Sequence, residues 1–326
     1  MVKLNIIWID DDISRKGYAD LVDAKFFLPN EALKNAKFDK ADLVLIDYYL
    51  IGSGSKNDIK LNGLSIASQI QEKFHWLPIY IISNYLMADD KKDELFLCNN
   101  SFLKVLYLNN FDEKEIIEDA KSLRELRSNK YKSAEDIQNL LAAPQASLNR
   151  IKNAIPNNIL QKGVGETERL FSLFKWIDRI LIKYPGPLYD EEHLAAHLGV
   201  PKKTLAILKP KFKSAKYHGI FSESSKIDLW WSDEIDKIIL TDSKAAKATT
   251  INIPVLVENI FSLKKDQLNK CAICSKYYPD ILASEKETKD SYKNIHYSCS
   301  DEDTTKPQMQ YFDNPRQFSL SKNKGA

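Results

Sequence analysis

Four short, almost wholly apolar runs, each carrying a chemically loaded residue, constrain this chain more than any other feature. LNIIWI over residues 4–9 runs straight into Asp10, Asp11 and Asp12, and ADLVLIDYYL over 41–50 carries Asp47. LPIYIISN over 77–84 carries Ser83, and FLKVLYL over 102–108 holds Lys104. A strand with one wet face alternates apolar and polar residues, whereas a continuous apolar run means burial on both faces. That is the habit of parallel sheets covered by helices. Helical stretches at 30–36, 63–74, 89–96 and 113–126 fall between or after the runs. Residues 1–125 therefore read as an α/β unit with right-handed crossovers.

In an open parallel sheet, ligands gather outside the carboxyl ends of the strands. The run ends here offer Asp10 and Asp11 on the first strand, Asp47 on the third, Ser83 on the fourth and Lys104 on the fifth. Three carboxylates at one sheet edge repel one another unless a cation sits among them, and hard oxygen donors with room for water suit Mg²⁺. A hydroxyl and a lysine beside that cation suit an anion such as a phosphoryl group carried by one of the acids.

This constellation resembles the receiver domain of bacterial two-component response regulators over about residues 1–125. The order of the five residues carries the resemblance, with 36 positions from Asp47 to Ser83 and 21 from Ser83 to Lys104. It implies a flavodoxin-like doubly wound parallel sheet, with Asp47 as phosphoacceptor and nucleophile. It further implies Mg²⁺ held by Asp10, Asp11, Asp47 and the Tyr49 carbonyl, with Ser83 and Lys104 on the phosphoryl oxygens. The implied partner is a histidine kinase or another phosphodonor. The chain also departs from the pattern. The stretch from Asp11 to Asp47 is short, so the first helix or second strand must be abbreviated, and 51–62 is a long polar loop. Val105 follows Lys104 where the family has proline, Ser101 stands where an aromatic is usual, and Asn84 is bulkier than the usual small residue. A receiver fold used only for docking stays open as a reading.

Beyond residue 126 the strand-like runs stop. Short amphipathic helices are expected at 133–148 and 151–160, divided by Pro144 and Pro156, with a stronger helix over 166–183 stopped by Pro185-Gly186-Pro187. The charge changes too: residues 1–125 carry 16 Lys+Arg against 21 Asp+Glu, the remainder 31 against 24. An acidic front and a basic rear point to different partners for the two halves. In DEEHLAAHLGVPKKTL, residues 190–205, Asp190 can cap a helix, Gly199 can end it in the left-handed conformation, and Pro201 suits the first turn of the next. The segment resembles the helix-turn-helix of bacterial regulators. No acid occurs from His193 to Ser222, while Lys202, Lys203, Lys209, Lys211, Lys213 and Lys216 do. With Thr204, the first five form the expected DNA-facing set, acting mainly on the phosphate backbone. The stretches 217–221 and 226–231 read as the two strands of a wing, and Pro210 as the end of the second helix. A docking winged helix with a solvated lysine face is the alternative. His193 and His197 read as ordinary helix residues, since a third metal ligand is lacking nearby.

Cys271 and Cys274 form a C-x2-C pair, and His296 and Cys299 an H-x2-C pair about twenty residues on. Two such turns can close a tetrahedral structural Zn²⁺ site with no open position for catalysis. The fourth cysteine, Cys98, reads as core packing. Four cysteines in 326 residues are too few for a disulfide scaffold, no apolar run nears the ~20 residues of a membrane span, and the N-terminus runs into three aspartates instead of a signal sequence. A reduced cytoplasmic protein without membrane association is the expectation.

Together these features lay out a receiver over 1–126, a helical connector over 127–165, a mainly helical winged helix-turn-helix over 166–245, a small zinc-stapled module over 246–303 and a polar tail over 304–326. The expected function is a phosphorylation-controlled regulator of transcription, possible as a homodimer, whose sole catalysis is its own phosphoryl transfer. The alternative is a receiver-containing adaptor that works through protein contacts, independent of phosphorylation.

Overall fold

The computed structural model describes residues 3–50, 63–84, 86, 92–128, 131, 133–161, 165–183, 186–245, 252–270, 275–277, 281–288 and 291–296. The chain divides into two units: Met1–Tyr131 with Pro156–Lys175, and Lys132–Ile155 with Trp176–Ala326.

In the first unit, β1 (Ile6–Ile9), β2 (Lys25–Phe27), β3 (Leu43–Asp47), β4 (Ile79–Ile82) and β5 (Lys104–Leu106) form one parallel sheet in the order β2-β1-β3-β4-β5. This is the flavodoxin-like doubly wound order, whose strand order reverses between β1 and β3. Every residue of β1, β3 and β4 is buried, as continuous apolar strands require. Five helices complete the unit's alternation: α1 (Lys16–Leu21), α2 (Pro29–Asn35), α3 (Gly63–Lys73), α4 (Lys92–Ser101) and α5 (Glu113–Ser128). The abbreviation expected between Asp11 and Asp47 is real: α1 has six residues and β2 three. One core runs through Ile7, Ile9, Val44, Ile46, Ile66, Ile79 and Ile81. Cys98 packs into it, where burial pushes its thiol up to about 11, with Glu94 adding to the shift. It is an inert core residue.

The amino edge of the sheet is closed by one buried acid. Asp42 accepts the Asn5 N–H at 2.8 Å, and the Arg124 guanidinium of α5 takes both its oxygens, Nε at 2.8 Å and Nη2 by a still shorter contact. At the carboxyl edge a glycine is obligatory. A Cβ on Gly63 would lie 1.9 Å from the Asp47 carbonyl oxygen, so only glycine lets α3 start against the end of β3.

The second unit holds α6 (Ala134–Leu140) and α7 (Leu148–Ala154), with Pro144 and Pro156 each standing just before a new helical turn. After them in the chain come α8 (Asn157–Leu160) and α9 (Glu166–Trp176), which belong to the first unit as far as Lys175. The single helix expected over 166–183 is interrupted: from Ile177 to Leu181 the backbone is a π-helix. Next come β6 (Leu188–Tyr189), α10 (Glu191–Leu198), α11 (Lys202–Leu208), a 3-10 segment over Lys209–Ala215, β7 (Trp230–Trp231), α12 (Ser232–Leu240) and α13 (Ile253–Phe261). The wing expectation needs correction. Stretch 217–221 is turn and not strand, and β7 pairs antiparallel with β6, touching Lys216 only through an isolated bridge at Trp230. The reason lies in Tyr217, whose buried hydroxyl donates to the Ile220 carbonyl at 2.7 Å and curls that stretch on itself. A last hairpin joins β8 (Ile281–Thr288) to β9 (Ser291–His296). No helix among the described residues is long and apolar enough to cross a membrane.

Candidate functional site

The carboxyl edge of the first sheet gathers its acids by register. Ile9 pairs with Ile46, so Asp10 and Asp47, the next residues on β1 and β3, reach the same rung. Carboxylate oxygens of Asp10, Asp11 and Asp47 all lie within 4.8 Å of one another. Asp10 and Asp47 are buried. Each is held by its own chain: Asp10 accepts the Asp12 N–H at 2.9 Å and the Trp8 indole N–H at 3.3 Å, and Asp47 accepts the Tyr49 N–H at 3.0 Å.

A cation that the sequence reading missed sits among them. Asp12 caps a 3-10 turn over Ile13–Arg15 by accepting the Ser14 N–H at 3.0 Å, and this turn brings Arg15 over the acids. Its Nη1 donates to Asp47 Oδ1 at 2.7 Å and to Asp10 Oδ2 at 3.2 Å, while Nε faces Asp12 at 3.5 Å. One guanidinium does not balance the set. Burial, then the neighbouring Asp10 charge, push Asp47 up to about 7, against the pull of Arg15 and the Tyr49 N–H. Burial likewise raises Asp10. Burial disfavours the charge on Arg15, but Asp10 and Asp47 outweigh it and hold Arg15 above its ordinary value. Asp11, Arg15 and Asp47 line a cleft of about 320 Å³ with Asp12, Tyr49, Ser83 and Asn84. Asn84 exchanges hydrogen bonds with Asn109, at 3.2 and 3.3 Å.

Lys104 is not in this cleft, which corrects its expected role. It pairs with Tyr80, and Ile82 with Leu106, so Lys104 opens β5 two rungs below the edge where Asp47 sits. At roughly 3.3 Å per residue, that is some 6–7 Å of strand toward the amino end. Its ammonium serves a different network: 2.6 Å to Glu115 and 3.0 Å to Asp119 on α5, with the Tyr80 hydroxyl donating to the same Asp119 oxygen at 3.0 Å. Beside Ser83, the β5 side of the edge presents Tyr107 instead.

Solved structures that resemble the chain include receiver domains. The receiver domain of NtrX from Brucella abortus is 19% identical with a TM-score of 0.29, covering 37% of this chain and 98% of that one. A response regulator receiver domain protein from Clostridium thermocellum is 13% identical with a TM-score of 0.31, covering 39% and 98%. A CheY-like receiver domain protein from Methanospirillum hungatei JF-1 is 15% identical with a TM-score of 0.30, covering 39% and 98%. No family model matches the chain. No curated protein matches it either. The strand order, and not these likenesses, carries the fold.

In the second unit the helix-turn-helix is built as its residues dictate. Asp190 caps α10 by accepting the His193 N–H at 2.8 Å. Gly199 ends the helix at φ +70°, and Pro201 stands at the N-cap of α11. The turn is covered from behind: a Cβ on Gly199 would meet Pro254 of α13 at 2.6 Å. Asn269 donates its backbone N–H to the Gly199 carbonyl at 2.8 Å and its side-chain amide to the Val200 carbonyl at 2.9 Å.

The lysine set divides. Lys202 pairs with Glu192, Lys209 with Glu191 at 3.0 Å, and Lys216 with Asp228 at 2.8 Å. The acids come from outside the acid-free window and fold back on it. Lys203, Lys211 and Lys213 are exposed and, among the described residues, carry no ion pair. Thr204 is buried at 2% exposure and is withdrawn from the DNA-facing set, because α11 turns it into the core beside Leu205. His193 and His197 each meet an acid, Asp190 and Asp236, both at 2.6 Å, as ordinary helix residues do. Cys271, Cys274 and Cys299, the loop 51–62 and the tail 304–326 lie outside the described residues, as does the side chain of His296 at the end of β9.

Proposed function

We propose that the first unit is a receiver whose Asp47 takes up a phosphoryl group in the presence of Mg²⁺, and that the second unit is an output module that binds DNA through α11. One observation carries this reading: three carboxylates within 4.8 Å, beside a hydroxyl in one cleft, at the carboxyl edge of a β2-β1-β3-β4-β5 sheet. The donor set fits the ion. Hard oxygens from Asp10, Asp11 and Asp47, with the Tyr49 carbonyl, suit Mg²⁺, and three acids against one arginine leave negative charge to neutralise. When bound, Mg²⁺ supplies charge neutralisation for the phosphoryl oxygens.

The remaining work belongs to the chain. The Tyr49 N–H fixes one oxygen of Asp47. A carboxylate oxygen of Asp47 attacks phosphorus, the bond from phosphorus to the donor atom (imidazole nitrogen of a phosphohistidine, or oxygen of an acyl phosphate) breaks, and the donor leaves with the electron pair. Ser83, in the same cleft, is placed to donate to a phosphoryl oxygen. The group takes Asp47 from one negative charge to nearly two and adds new acceptor oxygens, which bias the surface around Ser83. In this reading the chain catalyses nothing else, and its partners are a histidine kinase or another phosphodonor, and DNA. Incubation with Mg²⁺ and acetyl phosphate should add one phosphoryl group by intact mass, and Asp47→Asn should add none; equal addition in both overturns the reading.

The second reading, a protein-docking adaptor, draws on Ile207, which is 68% exposed on α11 between the lysines. Salt separates the two. Three free lysines give DNA affinity a log–log salt slope of roughly −3, and affinity indifferent to salt favours the adaptor. The Zn²⁺ site at Cys271, Cys274, His296 and Cys299 rests on spacing, and metal analysis should return one zinc per chain.

A further inference from the structure

The receiver reading leaves the phosphoryl group without its expected lysine, and the chain offers a replacement from the other side of the cleft. We propose that Arg15, and not Lys104, holds the phosphoryl group on Asp47, and that in the unphosphorylated chain Arg15 keeps the place of the divalent cation. The inference rests on the receiver reading above and assigns its cation.

Three observations support it. The Arg15 Nη1 already bridges the two buried acids, 2.7 Å from Asp47 and 3.2 Å from Asp10. The guanidinium is a rigid planar fork with five N–H donors matched to phosphate geometry. Nη1 and Nε are engaged, whereas Nη2 makes no hydrogen bond or ion pair among the described residues, and the side chain is 31% exposed where it lines the cleft with Ser83. Second, Lys104 is committed two rungs below to Glu115 and Asp119, both of which are held in place on α5. Third, the β5 position beside Ser83 is Tyr107, which brings no charge. Transfer raises the negative charge at Asp47 from one unit to nearly two, so a cation already touching Asp47 gains more from the product than from the reactant.

The two roles predict opposite signs for one substitution. With acetyl phosphate the new Asp47 oxygen–phosphorus bond forms as the phosphorus–oxygen bond to the acetyl group breaks, and acetate leaves. Full-length wild type, Arg15→Met, Arg15→Lys, Lys104→Met and Asp47→Asn are compared for phosphoryl occupancy by intact mass with Mg²⁺, and for Mn²⁺ affinity by electron paramagnetic resonance of the free ion. Arg15→Met is expected to lower occupancy on the order of ten- to a hundred-fold, the worth of a charge-assisted hydrogen bond. It is also expected to bind Mn²⁺ more tightly, by about three-fold or more, because a competing charge has gone. Arg15→Lys should fall between, and decides the matter if the methionine variant fails to fold. Lys104→Met should match wild type in both measurements. Wild-type occupancy in Arg15→Met, or lost occupancy in Lys104→Met, overturns the phosphoryl role; weaker Mn²⁺ binding in Arg15→Met overturns the place-keeping role. Failure of the receiver reading looks different: wild type then takes up no more phosphoryl than Asp47→Asn, and the phosphoryl role of Arg15 falls with it.

Discussion

The two edges of the five-stranded sheet hold the same chemical pair in opposite states of completion. At the amino edge, Asp42 faces Arg124 and the Asn5 N–H, and both of its oxygens are taken. At the carboxyl edge, Arg15 faces three acids beside a cleft of about 320 Å³. One charge matched by one fork is a closure. Three charges gathered around one fork leave electrostatic demand that a ligand can meet, and that difference separates a structural ion pair from a site.

The largest break in this comparison should come from Arg124→Met. Removing one partner of a buried pair leaves Asp42 uncompensated, and urea unfolding should show a loss of about 3 kcal/mol. Arg15→Met, at the surplus edge, should cost far less once Mg²⁺ is supplied. Next in size is the ion itself. Mg²⁺ at a hundred times its Kd should stabilise the wild type by about 2.7 kcal/mol, stabilise Arg124→Met by as much, and lose most of the effect in Asp10→Asn; thermal melts with and without the ion read all three. Smaller again is Gly63→Ala. Its new methyl group must push α3 away from the end of β3, at a cost of roughly 2 kcal/mol, and the same melts should show a weaker Mg²⁺ response because Asp47 moves with β3. The smallest effect tests the other unit: Asp190→Ala should cost about 1 kcal/mol by loss of the α10 cap, leaving the Mg²⁺ response intact.

The strands were legible because burial on both faces writes itself as unbroken apolar letters, and the acids were legible because each follows such a run. β2 was not, since three residues, KFF, carry no periodicity. Lys104 was misread for a related cause. An apolar run shows that a strand exists but not where its pairing begins, and the Ile82–Leu106 register puts the lysine at the wrong end for the site. Arg15 was overlooked because a basic residue in a first helical turn looks like any solvated side chain; only the cap made by Asp12 aims it inward. On and just after α11 the pairing of two lysines was not legible because it is not local. The acids that neutralise Lys202 and Lys209 sit at the start of the preceding helix, and helix crossing, not sequence distance, brings them together.

Asn269 ties the backbone just ahead of Cys271 to both carbonyls of the turn between α10 and α11. Asn269 and the bend between the two helices are thus joined by a double stitch. A change that loosens Asn269 therefore slackens the bend ahead of α11 directly.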